Sequence, residues 1–193
     1  STGPDDIVTV PAERQITIRD LLRHTAGLSY GLTFGRTAAD RAFARANPTS
    51  QATLANMVTE LGKLPLALQP GTRWRYSAAT DVLGRLVEVI SRQAFDVFRR
   101  DRIFEPLDMD DTAFFVPDSK RDRFTQLYGH SQSDRTLEPR GGSSGYRPSG
   151  TFFSGGGGLV STAQDYARFA QMLLNGGHLD GAQILGRKTI ELM

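Results

Sequence analysis

Residues Trp74 to Gly84 read "WRYSAATDVLG", and the fold follows from how this stretch continues. A Pro70-Gly71 turn stands before it. After it, Val82, Leu83, Leu86, Val87 and Ile90 recur at helical spacing, so an amphipathic helix is expected from near Ser77. Tyr76 then lies at the mouth of that helix, with Arg73 and Arg75 beside it in sequence. Two readings fit residue chemistry alone. A half-buried structural tyrosine is common at such a position. A proton acceptor is the alternative, because a phenol of ordinary pKa about 10 becomes a useful base only where cations depress it.

Outward from this helix the pattern stays helical. "ITIRDLLRHTAG" carries Thr17 as N-cap, Asp20 at the capping-box position and Gly27 as the stop. Residues 40–46 form a short helix that ends before Pro48. Leu54, Val58 and Leu61 share one face of a helix closed by Gly62. Phe95, Phe98 and Arg102 fall in step on another, which Pro106 closes. Ser161 and Gln164 cap a further helix with Tyr166, Phe169, Ala170 and Leu173 as its buried stripe and Gly176 as its end. Strand is sparse: an alternating apolar start at Ile7 to Val10, and "TAFFV" (Thr112 to Val116), which reads as a strand. Residues 117–150 are polar, aperiodic and rich in Gly, Ser and Pro, the signature of a long, flexible loop. The expectation is a mainly α chain of six or seven helices with minor β, forming a single domain over residues 1–193 that is itself incomplete. The first residue is not Met, and the last helical pattern runs to Met193 without a cap, so a piece of something longer is expected.

Composition narrows the function classes. With 193 residues and 39% of them hydrophobic, the chain can bury a core. Net charge is +2 and the arginines are interspersed with acids, so there is no nucleic-acid footprint. No cysteine is present, which excludes disulfides, thiol catalysis and cysteine-based zinc sites. No apolar run is long enough to span a membrane.

Several patterns invite chemistry. His24, His130 and His178 have no second ligand at helical spacing, so metal binding is not expected. His24 reads as a helix-end residue that bonds backbone groups. Gly141 to Gly145, "GGSSG", matches the G-x-S-x-G nucleophile elbow around Ser143, but its flanks supply neither the strand before nor the helix after that the elbow needs. The glycine run Gly155 to Gly158 precedes a helix without any phosphate-binding fingerprint. It reads as a tight backbone crossing, and equally suits a cleft wall where substrate meets main chain.

Four segments taken together resemble a known family. "ITIRDLLRHTAGLSYG", "LPLALQPGTRWRYSAATDVLGRLVEVIS", "FEPLDMDDTAFF" and "SGGGGLVSTAQDYARFAQMLLNGG" are similar, in order and spacing, to the signatures of the serine β-lactamase-like family. That family includes class C β-lactamases, D-alanyl-D-alanine peptidases and related esterases. Asp108 stands where the family usually has glycine. The family's hydrolases use a Ser-x-x-Lys nucleophile pair and a Tyr-x-Asn motif. Tyr76 matches the tyrosine, while Ala78 stands in place of the asparagine and resembles the esterase branch, the family VIII carboxylesterases.

The resemblance implies an acyl-enzyme mechanism on a small-molecule ester or amide, an ester first with a β-lactam or D-amino-acid peptide as the alternative, and with Tyr76 as the base that takes the seryl proton. It places Phe152, Phe153, Ser154, Gly155, Gly156 and Gly157 along the substrate cleft and calls for no metal or organic cofactor. The three lysines, Lys63, Lys120 and Lys188, follow Glu60, Pro117 and Leu185 at the critical spacing, so the chain contains no Ser-x-x-Lys. It therefore resembles the helical domain of the β-lactamase-like α/β fold with most of the central sheet missing, expected to be inactive alone. Its expected partners are the remaining part of the parent polypeptide or a second copy, through an exposed apolar face. A non-catalytic binding module is the alternative from another class.

Overall fold

The computed structural model describes residues 7–33, 35–131, 133, 136–140, 146 and 150–193. The chain divides into two compact units, Ser1–Phe95 with Thr151–Gly157, and Asp96–Gly150 with Gly158–Met193. Seven α-helices and two two-stranded antiparallel ladders are found among the described residues, a mainly helical chain with minor β.

In the first unit, α1 (Ile18–Leu22) begins at the expected capping box, with Thr17 and Asp20 satisfying each other's backbone amides. The helix stops earlier than Gly27, because the chain turns left-handed at His24 (φ 53°). α2 (Ala38–Ala46) repeats the device with Thr37 and Asp40, and α3 (Leu54–Leu61) starts at Thr53 and closes at Gly62. α4 (Ala79–Ser91) starts two residues later than the spacing suggested, since Ser77 and Ala78 are fully buried in the approach to it. Both α1 and α3 pack on α4, burying Leu21, Leu54, Met57, Leu61 and Ala79. In the alternating start at Ile7 to Val10, Val8 and Val10 are exposed and no strand is formed.

Two carboxylates tie this unit together. Arg14 donates to both oxygens of Asp20, and with the bonds from Thr17 this holds the Asp20 carboxyl well below the usual carboxylate range. At Asp40, burial opposes ionisation, but the hydrogen bonds from Ser29, Thr37 and Arg75 outweigh it and again lower the pKa. A carboxylate with a depressed folded pKa contributes stability that is complete above its unfolded pKa, about 4, and is lost as pH falls toward the folded value. The melting temperature of the chain is therefore expected to hold between about pH 5 and 7 and to fall steadily below about pH 4. Calorimetry across that range checks it; a flat profile down to about pH 2.5 contradicts it.

In the second unit, α5 (Phe95–Arg99) runs into a π-helical turn over Arg100–Phe104 and a 3₁₀ turn over Glu105–Leu107. Pro106 has no amide to continue the ladder, so the helix unwinds rather than closing abruptly. Leu107 and Met172 are fully buried at the centre of this unit's core, with Phe104 and Met109 around them.

Three expectations need correction here. Thr112 to Val116 is not a strand: only Ala113 pairs, with Val160, in an isolated antiparallel bridge. The flanking polar groups turn elsewhere. Thr112 Oγ1 and the Asp111 amide both donate to buried Asp165, and the Val116 amide donates to the Tyr146 carbonyl. The cap of α6 (Ala163–Leu174) is Thr162 with Asp165, not Ser161 with Gln164; Ser161 Oγ meets Thr112 Oγ1 instead. Tyr166 and Ala170, both placed on the buried stripe, are exposed, because the face of α6 that packs inward carries Asp165, Phe169, Met172 and Leu173.

Residues 117–150, read as one loop, hold a 3₁₀ helix at Asp118–Arg123 and a short ladder of β1 (Tyr128–His130) with β2 (Leu137–Pro139). The elbow-like Gly141 to Gly145 lies outside the described residues. β3 (His178–Leu179) and β4 (Ala182–Gln183) form a hairpin, and α7 (Arg187–Glu191) follows.

Candidate active site

Tyr76 is half-buried in the first unit, on the extended segment that leads into α4. Its ring stands in an aromatic row. The His24 imidazole stacks on it, with centroids 4.9 Å apart and planes 28° from parallel, and the Tyr30 ring meets it edge-on at 5.6 Å. Trp74 flanks His24 and Phe43 flanks Tyr30, both at 6.2 Å. Separations of 4.5–7 Å are those at which aromatic pairs attract. His24 stands at the end of α1, as the sequence suggested, and its main chain bonds the Leu21 carbonyl and the Arg75 amide; its ring does something else. Its ring faces a phenol and its Nδ1 lies 3.5 Å from the hydroxyl of buried Ser77.

The cations next to Tyr76 in sequence are deployed elsewhere. Arg75 Nη2 donates to both oxygens of fully buried Asp40, at 2.6 and 2.7 Å, so its charge is matched there. Arg73 is exposed. The second phenol, Tyr30, went unnoticed in the sequence. Burial raises its pKa from the ordinary value, and the negative charge of Asp81 and the presence of Tyr76 push the same way.

The glycine run takes its place through Asp81, in the first turn of α4. Ser154 Oγ donates to Asp81 Oδ1 at 2.5 Å, and the Gly156 amide reaches the same oxygen at 3.3 Å. Asp81 is 1% exposed and its other oxygen, Oδ2, has no partner among the described residues. A buried orphan acceptor is costly, so the hold on Ser154 and Gly156 is maintained against that cost. Gly155 lies so close to the helix that a Cβ there would overlap the Thr80 carbonyl, and Gly84 clears space for it from the helix side. The tight-crossing reading of these glycines is thus realised. Phe152, Phe153, Ser154 and Gly155 are half-buried, while Gly156 and Gly157 are exposed. Gly155→Ala is expected to cost about 1–3 kcal/mol through the forced shift of this crossing. Urea unfolding of the variant measures it, and an unchanged midpoint counts against the packing described.

The second unit contains a cavity of about 730 Å³ with Phe104, Phe114, Phe115 and Phe124 among its walls. Tyr76 and Phe152 to Gly157, the candidate site residues, do not line it. Among the described residues no cluster of three metal-ligating side chains is found, and no helix is long and apolar enough to cross a membrane.

Comparison with known proteins decides the family. The Beta-lactamase family pattern matches residues 6–193. The chain belongs to the Beta-lactamase family. Within it, protein Rv1367c of Mycobacterium tuberculosis is 38% identical over 193 residues, covering 100% of this chain and 47% of that protein. The lovastatin esterase of Penicillium rubens is 34% identical over 169 residues, covering 85% of this chain and 41% of the esterase. Among solved structures, EstCE1, a hydrolase with promiscuous acyltransferase activity, superposes with a TM-score of 0.76 at 28% identity, covering 92% of this chain and 50% of EstCE1. A LovD6 mutant of simvastatin synthase from Aspergillus terreus gives a TM-score of 0.74 at 27% identity, over 94% of this chain and 41% of that one. The chain thus spans about half the length of the relatives it matches. Esterase EstB of Burkholderia gladioli is 29% identical over 177 residues, and a putative D-alanyl-D-alanine carboxypeptidase of Salmonella typhi is 25% identical over 206.

Proposed function

We propose that these 193 residues are the helical portion of a serine hydrolase of carboxylesterase type, in which Tyr76 accepts the proton of a serine supplied from outside this stretch. One observation carries the reading: the Tyr76 phenol is half-buried in a row of aromatic rings at the start of α4, not sealed in a core. A base needs that placement, fixed in orientation yet open to a reacting group. The absence of Ser-x-x-Lys from the chain and its coverage of about half of its relatives support a nucleophile located elsewhere in a longer polypeptide. The named esterases among the relatives, and Ala78 at the third position of the tyrosine motif, favour an ester over a β-lactam or a D-amino-acid peptide.

In this reading Phe152 and Phe153 offer an apolar wall for the acyl group, and Ser154 to Gly157 present main chain to the substrate. Most of the central sheet would come from the remaining part of the polypeptide. Exposed Ile18, Leu22, Val89 and Ile90 support an apolar face that this part, or a second copy of the chain, covers. The test uses a p-nitrophenyl ester. The 193-residue chain by itself is expected to give no turnover above buffer, while the longer polypeptide hydrolyses the ester and loses that activity on Tyr76→Phe. Turnover by the isolated chain would overturn the assignment of the nucleophile.

A further inference from the structure

We infer that His24 is a positioning residue for Tyr76: its imidazole, stacked on the phenol, fixes the orientation of the ring. This rests on the reading of Tyr76 as the base and names what holds it in place.

Three observations converge on one small clasp. The rings lie 4.9 Å apart and 28° from parallel, closer and more nearly parallel than any other described pairing made by either one. His24 is also tied to the Tyr76 segment on two sides. Its carbonyl accepts from the Arg75 amide at 2.8 Å, and its Nδ1 lies 3.5 Å from Ser77 Oγ, the outer limit of a hydrogen bond. Contacts to the residues immediately before and after Tyr76 thus hold the imidazole against the phenol. Finally, His24 holds a left-handed backbone at φ 53°, a conformation that a ring-bearing side chain adopts at a cost. Glycine would remove that cost, and would also remove the ring.

The physical consequence is orientational. Tyr76 precedes its helix, so the rotamer restriction that a helical turn imposes does not act on it, and a phenol that swings loses alignment with the group whose proton it takes. Misplacement of a reacting group by about 1 Å is enough to lower a rate by about 10²-fold. Tyr30 limits the ring at its edge and His24 limits it at its face. The clasp therefore acts on the reaction step and not on substrate affinity, which separates positioning from general structural support.

The experiment compares His24→Asn, His24→Phe and Tyr76→Phe in the longer, ester-hydrolysing polypeptide. Asparagine tolerates the left-handed backbone and can still reach toward Ser77, but has no ring. Phenylalanine keeps a ring to stack and loses the nitrogen. His24→Asn is expected to lower kcat about tenfold with KM unchanged within about twofold, and His24→Phe to recover most of that loss. An unchanged kcat in His24→Asn overturns the inference. So does an equal loss in both variants, and so does a change of kcat and KM together with a lowered melting temperature. If Tyr76→Phe retains wild-type turnover, the base assignment fails and the inference falls with it. Loss in Tyr76→Phe beside wild-type kcat in His24→Asn sinks the inference alone.

Discussion

Replacing Tyr76 by phenylalanine in the longer polypeptide is expected to lower kcat for a p-nitrophenyl ester by about 10² to 10⁴-fold, the contribution of a positioned acid–base group. The substitution deletes one oxygen and keeps the ring, so the contacts with His24 and Tyr30 survive. KM should change little, because a base interacts with the reacting proton in the transition state and not with the bound ground state. The melting temperature is expected to stay close to that of the wild type. Steady-state kinetics with a thermal melt in parallel checks all three quantities. A kcat within about threefold of wild type would remove Tyr76 from the mechanism and return it to the role of a structural tyrosine.

The second large effect concerns stability. Asp40→Ala is expected to destabilise the chain by about 3–5 kcal/mol, the usual cost of breaking a buried ion pair from one side. Asp40 is fully buried and is held by Ser29 Oγ at 2.6 Å, the Thr37 amide at 2.7 Å and Arg75 at 2.6 Å. Truncation leaves the Arg75 guanidinium, itself mostly buried, facing an apolar methyl group. It also removes the capping-box carboxylate of α2. A loss of that size is a large fraction of a total stability of about 5–15 kcal/mol. The effect reaches the site as well, because Arg75 adjoins Tyr76 in sequence. Urea denaturation measures it, and a loss under about 1 kcal/mol would show that the pair contributes little.

The helices were legible from the sequence, though not to the residue. α2, α3 and α4 stand close to where apolar spacing and capping residues put them, and the Thr17–Asp20 box is present as read. These features depend on neighbours three or four residues apart, which any linear reading sees. The errors came where one hydroxyl looked like another, as at Ser161 and Thr162, and where an apolar run resembled a strand. "TAFFV" has strand composition, but what its amides and its threonine hydroxyl meet is set by Val160, Asp165 and Tyr146, far along the chain.

Sequence by itself determined that this is a cysteine-free, mainly helical member of a hydrolase family, with a tyrosine at the start of its best helix and no Ser-x-x-Lys. Only the tertiary structure decided what surrounds that tyrosine. It turned Arg75 away to Asp40, 35 residues distant, laid His24 on the phenol, and brought Ser154 to Asp81 across 73 residues. Local hydrogen-bond periodicity writes helices into short windows of sequence. Pairing between distant side chains carries no such period, so it becomes visible only when packing has closed the loops between them.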